Sequence, residues 1–552
     1  MKLFLFGLIT IGFYIFDTLA FAKGGDWAVV ASRLWLAWTV YYFLYVFFVL
    51  YSLLIQDLKT KKIFGISILL LVTFLASFKL EIFPINISGE STLELKDALN
   101  NMRLEDYGYT KTAFLGNINR QYFLSAIPTL LLGRNIIALR LGFLIPFLLG
   151  VYLFYAGLRI FYKKSHQSYK LSSLAILTLF SFPLLTVMLR SFDAVILPIA
   201  YTMQALGVLL ITLKKPYLAH FLSLSWVLSM LSTVYTPTLS SWGLIIAIVV
   251  IYAVKKLLEK KYTLFFFFLL SSVVSLVFCW NAFKVRQDVR VGQIDSLSFQ
   301  TAVEKTADAF RYFLVEKTNM YDQQVPYVGQ LLFFPVILYL SGGLLFLWGI
   351  KHFFLIIWIV ATLAATGISQ GFAKPPIWFG IQRALIIIPF LLLSFVDLIV
   401  AKDLKISRKL EVLLSVIIIT FNLIIIHSIY RTSQQVFDFR SIVIRDMFTT
   451  TQNYFIDEKT PIQLGTFTKS SNFRFFTESL PYLFPNYIML EETKPCFSNL
   501  DPAKTGIFYT DKKECLEEIG KNSRFQKEEI IDLIIKKREP EMTKYIYLPL
   551  GR

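Results

Sequence analysis

From Leu3 to about Ile429 the chain alternates long apolar runs with short polar links, without the period of 3.6 that marks a half-buried soluble helix. Each run is about 17–25 residues long, which matches the hydrocarbon thickness of a bilayer. The runs fall near 3–22, 34–55, 63–80, 137–161, 171–189, 193–213, 217–235, 238–254, 263–283, 328–349, 353–370, 381–400 and 410–430, about thirteen spans. The pattern predicts an α-helical polytopic membrane protein. The first run is expected to stay as a span, because Asp17 interrupts its end and no small-residue cleavage site follows it cleanly.

Beyond residue 430 the pattern changes. Pro461, Pro481, Pro485, Pro495 and Pro502 punctuate short alternating runs such as Ile462 to Phe467 and Gly506 to Thr510, which read as strands. Helices are expected near 440–456 and 511–520. The predicted organisation is a membrane domain over 1–430, with outer loops at 81–136 and 284–327, followed by a small soluble α/β domain over 431–552.

Composition agrees. Hydrophobic residues make up 56% and charged residues 17% of 552, against roughly 45–50% and about 25% in soluble domains. The formal charge of +18 would suit a nucleic-acid partner only if it formed a basic face on a folded domain. Here most lysines sit in the links between apolar runs, so nucleic acid is excluded as the leading partner. Cys279, Cys496, Cys515 and the four histidines show neither metal-ligand spacing nor a Cys-x-x-Cys pair, so neither a zinc site nor a redox dithiol is supported.

The links carry orientation instead. Lys59, Lys61 and Lys62, then Lys163, Lys164 and Lys170, then Lys214 and Lys215, then Lys255, Lys256, Lys260 and Lys261, then Lys402, Lys405, Arg408 and Lys409 all fall on one side of the alternation. Cationic short links stay in the cytoplasm. The N-terminus is therefore expected on the cytoplasmic side of the cell (plasma or inner) membrane and the C-terminal domain on the outer side. There Cys496 and Cys515 either pair or remain two structural thiols.

Candidate chemistry lies on the outer side. Glu90 stands near the start of an expected interfacial helix with apolar positions Leu95, Ala98, Leu99 and Met102. It either complements the helix dipole or accepts a proton from an incoming hydroxyl. Asp106 reads as a turn residue or an accessory acid. Asp193 follows Arg190 at an outer mouth, as an ion pair or cap, or as a functional carboxylate. Lys284, Arg286 and Arg290 open the second outer loop, where cations need a reason. That reason is either solvation beside Asp288 and Asp295 or the binding of lipid phosphates. Arg383 puts a guanidinium just inside a late span, to snorkel or to hold phosphate. No Asp-x-Asp, glycine-rich phosphate loop or dinucleotide fingerprint occurs, so a transferred group would come from a donor presented by the membrane. A transporter or lipid flippase is the rival reading, although the span centres are nearly uncharged and no repeat of halves is seen.

In order and spacing, several stretches resemble the membrane-embedded glycosyltransferases of the C superfamily (GT-C), which include protein O-mannosyltransferases and lipid A aminoarabinose transferases. They are Gly89-Glu90-Ser91, Ile127 to Gly133, Arg134 to Leu141, Ser181-Phe-Pro183 with Arg190 and Asp193, Pro326 to Leu331, and Arg383 to Pro389. The resemblance covers about 60–430, and the tail resembles tails found on such enzymes. It implies inverting transfer of a sugar from a polyprenyl-phosphate carrier to an envelope glycan, lipid or protein acceptor. Glu90 would be the base, and Arg383 with Lys284 or Arg286 the phosphate partners. Asp193 would orient the acceptor or help hold a divalent cation, the one cofactor considered. Where the family has Asp followed by Glu, this chain has Gly89 before Glu90, which leaves Glu90 to serve or the chain as an inactive scaffold. The two N-terminal spans, to about residue 55, fall outside the family pattern.

Overall fold

In a computed structural model the apolar runs that fall among the described residues are helices, which bond their own backbone groups and so can cross hydrocarbon. The structure describes residues 2–59, 63–78, 80, 123–133, 136–163, 168–179, 185, 189, 196–234, 238–285, 299–314, 353–368, 382–401 and 407–435, together with five strands between 462 and 549. The helices are α1 (Lys2–Lys23), α2 (Asp26–Lys59), α3 (Ile63–Ser77), α4 (Phe123–Leu132), α5 (Ile136–Phe161), α6 (Ser168–Leu179) and α7 (Ile196–Lys214). They continue with α8 (Leu218–Leu231), α9 (Thr238–Leu258), α10 (Tyr262–Val285), α11 (Phe299–Leu314), α12 (Phe353–Ile368), α13 (Ile387–Ala401) and α14 (Arg408–Gln435). Among the described residues α1, α2, α5, α7, α9 and α10 are long and apolar enough to cross a membrane, and α3, α8, α12 and α13 are shorter apolar helices. The chain is a polytopic helical membrane protein.

Most expected spans meet a helix within a few residues, with four differences. The span near 34–55 is the middle of the longer α2. The span near 381–400 opens as a 3-10 turn, Gln382–Ile386, before α13. Two helices lie inside the expected outer loops: α4, which is apolar but only 10 residues long, and α11, which alternates apolar with charged positions. α14 runs to Gln435, past the expected boundary at 430. The span near 328–349 and the tail helices near 440–456 and 511–520 lie outside the described residues.

The core of the bundle is the pair α5 and α7. Gly150 packs on Ala200, where an added Cβ would stand 2.5 Å from the Ala200 carbonyl oxygen, and Gly157 packs on Gly207, where it would stand 2.7 Å from that residue's carbonyl oxygen. On each helix the two contact residues are seven apart. That is two turns, or about 10 Å along one face. Matched contacts in the same order mean that α5 and α7 run parallel, so the chain returns once between them. Small residues let backbones approach, and in lipid this close packing replaces the hydrophobic drive that holds soluble helices together. Of α7, residues Ile196 to Thr212 are all buried.

Other registers follow from named contacts. α3 lies antiparallel to α5, because Gly65 meets Tyr155, the Thr73 and Tyr152 hydroxyls are hydrogen-bonded, and Leu80 meets Arg140. α10 is parallel to α1 through Phe6–Phe267 and Asp17–Asn281, and parallel to α8 through Phe221–Phe267 and Ser225–Ser271. The N-terminal pair is not an appendage. Tyr42 of α2 stacks on Trp226 at 4.0 Å and donates its hydroxyl to Gln204 Oε1 at 2.9 Å, while Gln204 Nε2 donates to the Pro146 carbonyl at 2.8 Å.

One end of the bundle carries the lysine-rich links and a layer of ion pairs. Arg159 makes a two-pronged contact with Asp57 at 2.6 and 2.8 Å, and Tyr162 donates to Asp397 at 2.9 Å. Lys170 pairs with Glu411 at 2.6 Å. In the link after α9, hydrogen bonds from Lys256 and Lys261 push the Glu259 carboxylate down to about 2, so it stays charged among the cations.

Beyond α14 five strands form one mixed sheet in the order β2-β1-β3-β5-β4. β1 (Ile462–Leu464) is parallel to β2 (Tyr487–Met489) and β3 (Ile507–Thr510), and β5 (Lys544–Pro549) is antiparallel to β3 and β4 (Phe525–Ile530). β1 and β3 fall on the two runs expected to be strands.

Gly207→Ala would press a methyl on the Leu153 backbone, whereas the same change at Gly12 meets nothing within 4 Å. We expect Gly207→Ala to cost about 1–3 kcal/mol and lower the unfolding midpoint in detergent, and Gly12→Ala to leave it in place. Equal midpoints would remove the α5–α7 seam as the core.

Candidate functional site

The candidate site is the end of the bundle opposite the ion-pair layer, where the sequence puts its outer-side residues. The chain after α3 reaches this end at Leu80, whose carbonyl accepts a hydrogen bond from Arg140 Nη1 in α5. Arg140 is 1% exposed, and Leu80 precedes Glu90 by ten residues. A buried guanidinium therefore holds the start of the loop that carries Glu90. A hydrogen bond from a charged donor contributes about 1.5–3 kcal/mol, and hydrocarbon is the costly alternative for this group. α4 closes on the same corner, since Gly142 of α5 lies against the Ser125 carbonyl too tightly for a Cβ.

The 3-10 turn that bears Arg383 packs against α7, α12 and α13. Ala384 to Ile388 are fully buried there. The far end of α13 holds Asp397 at the ion-pair layer, so the turn lies at the opposite end, level with the start of α7. Asp193 precedes that start, Ile196, by three residues. The elements around the turn are fixed by polar bonds: Trp358 of α12 donates to the Ser240 carbonyl at 2.9 Å, and Thr202 of α7 bonds Ser241 of α9 at 3.0 Å. Trp358 also packs on Phe390 of α13, ring centroids 4.6 Å apart.

Lys284 is the expected site residue whose side chain is described. It is exposed at the end of α10, with its ammonium 5.6 Å from the centre of the Trp280 ring. α10 packs on α1, α8 and α9, whereas the Arg383 turn packs on α7, α12 and α13. Lys284 and Arg383 are thus carried by different groups of helices. Glu90, Asp106, Arg190, Asp193 and Arg286 lie outside the described residues. Among the described residues no group of three His, Cys, Asp or Glu side chains could hold a metal ion.

Sequence reasoning did not single out Arg140 as an anchor, although it lies in the Arg134 to Leu141 stretch. Its signal was an arginine placed inside an apolar run, about one turn from the start of α5.

Arg140→Leu keeps bulk and removes the donors. It is expected to raise maleimide labelling of Leu80→Cys in a background without Cys279, Cys496 and Cys515. Unchanged labelling would mean that something else holds the loop's start.

Comparison with solved structures finds the crystal structure of ArnT from Cupriavidus metallidurans bound to undecaprenyl phosphate, at 11% identity and a TM-score of 0.44, covering 89% of this chain and 98% of that one. The same protein in the apo state is matched at 9% identity and a TM-score of 0.41, with the same coverage. No family model and no curated protein matches the chain.

Proposed function

We propose that this protein is a GT-C-type glycosyltransferase. It moves a sugar from a polyprenyl-phosphate carrier to an acceptor on the outer face of the membrane, with inversion. The observation that carries this reading is the convergence on one end of the bundle of the Arg140-anchored loop leading to Glu90, the start of α7 preceded by Asp193, and the turn bearing Arg383. Loss of a lipid phosphate needs a base for the acceptor hydroxyl and cations for the departing charge. In this reading Glu90 takes the proton and Asp193 orients the acceptor or helps hold a divalent cation. Arg383, with Lys284 or Arg286, stabilises the phosphate. Asp106 and Arg190 would assist from the loop edges.

The lysine-rich end faces the cytoplasm and the C-terminal domain lies outside. Cysteines introduced at Lys256 and Thr468 should then label from opposite sides of intact cells, the second from outside. Labelling from one side alone would invert or break this topology.

Transfer tests the chemistry. With a panel of radiolabelled polyprenyl-phosphate sugars, Glu90→Gln is expected to lower turnover by about 10²–10⁴ while donor binding persists. Gly89→Asp restores the family's pair and is expected to raise turnover if that position is the better base. A gain in Gly89→Asp with no loss in Glu90→Gln would move the base off Glu90. No transfer in the wild type or in Gly89→Asp, across a broad donor and acceptor panel, would favour an inactive scaffold.

A further inference from the structure

The N-terminal pair α1–α2 has no place in the family pattern, yet it contributes a corner to the same end of the bundle as the candidate site. α1 and α10 run parallel and are tied by Asn281 Nδ2, which donates to Asp17 Oδ2 at 2.8 Å and to Thr18 Oγ1 at 3.3 Å. Six residues past Asp17, about 9 Å along the helix, α1 ends in Lys23. Three residues past Asn281, about 4.5 Å along, stands Lys284. Two ammonium groups therefore leave neighbouring helices at one end.

Each lysine sits over an aromatic ring, Lys23 Nζ 5.8 Å from the centre of Trp27 and Lys284 Nζ 5.6 Å from that of Trp280. The first arrangement depends on a tight reversal, since Gly24 and Gly25 take φ of 63° and 56°, which turns the chain so that Trp27 returns beneath Lys23. The rings remain open on their other side: Trp27 is 39% and Trp280 59% exposed, and Phe283, stacked on Trp280, is 65% exposed. Among the described residues neither lysine has a carboxylate within salt-bridge reach; Asp17 is engaged by Asn281, and Asp26 lies in the first turn of α2.

We propose that this corner binds the phosphate of a membrane-anchored anionic lipid. Two like charges on adjacent helix ends repel, and an anion between them removes the cost. An ammonium at the membrane surface contributes about fivefold to the binding of an anionic headgroup. The exposed rings choose the source. Trp280, Phe283 and Trp27 offer apolar surface at headgroup level, which suits a glycerol or isoprenoid chain attached to the phosphate and is unused by a free ion. The inference deepens the proposed role of Lys284 as a phosphate partner and rests on it, but lipid retention is read without sugar transfer, so the failure of one is distinguishable from the failure of the other.

The test is native mass spectrometry of the full-length protein released from phosphatidylcholine nanodiscs doped with phosphatidylglycerol. The wild type is expected to retain phosphatidylglycerol, Lys23→Gln/Lys284→Gln to bind it about thirtyfold more weakly, and Lys23→Arg/Lys284→Arg to retain it. All substituted groups are exposed, and an unchanged unfolding midpoint in phosphatidylcholine alone checks the fold. Equal retention in the double glutamine variant overturns the proposal. Displacement of the lipid by inorganic phosphate also overturns it, because the site would then take a free anion.

Discussion

The α5–α7 contact is the constraint on which the bundle turns. Gly150 and Gly157 on one helix meet Ala200 and Gly207 on the other, and the two backbones touch without side chains between them. A hydrophobic core cannot hold helices together in lipid, because the lipid is as apolar as the core. Close packing can. With α7 buried along its length, every helix that faces it takes its level from this seam: α9 through Thr202 and Ser241, and α2 through Tyr42 and Gln204. Because the pair is parallel and Gly150 lies at Ala200, the start of α7 falls level with about residue 146 of α5, on the Arg140 side of the seam. The segment of Asp193 therefore leads in at the half of the bundle where Arg140 bonds the Leu80 carbonyl.

The two ends of the bundle handle charge differently. At the lysine-rich end, acids and bases are matched in pairs: Asp57 with Arg159, Glu411 with Lys170, and Glu259 with two lysines. Breaking the buried Asp57–Arg159 pair would leave a lone charge, at a cost of about 3–5 kcal/mol, so that pair fixes register, whereas the Glu259 contacts lie at the surface. At the opposite end two of the described cations are met differently. Lys23 and Lys284 rest on aromatic rings. A cation on a neutral ring keeps its full charge for an incoming anion, which is what a lipid-phosphate donor would require.

Much of the fold was legible in the sequence, for a physical reason: bilayer thickness fixes span length, and the links are marked by lysine. α1, α5, α7, α9 and α10 end within a few residues of the expected places. α4 and α11 were not foreseen, since one is too short to span and the other too polar, and both lie where a loop was the economical expectation. The locks between helices were not legible either. Asp57 and Arg159 are 102 residues apart, and nothing in either neighbourhood names the other. Gly157 and Gly207 look like ordinary span glycines until the helices are aligned. For the site, no sequence pattern marks that α10, which carries Lys284, and the turn that bears Arg383 belong to different packing neighbourhoods, because that follows from contacts between distant segments.

That separation bears on how a lipid-linked donor would move. A polyprenyl phosphate stays in the bilayer plane, so it must arrive sideways between helices, and its headgroup needs footholds before the reacting position. Lys284 at the α1–α10 corner is exposed. The backbone that flanks Arg383 is buried among α7, α12 and α13. An exposed cation on a flexible stem suits capture, because its side chain can follow a mobile headgroup. Under the proposed transfer, Arg383 on its turn would serve the reacting position, because transition-state charge is stabilised most by groups that need not reorganise. Lys284 would then catch the lipid phosphate and Arg383 would hold it.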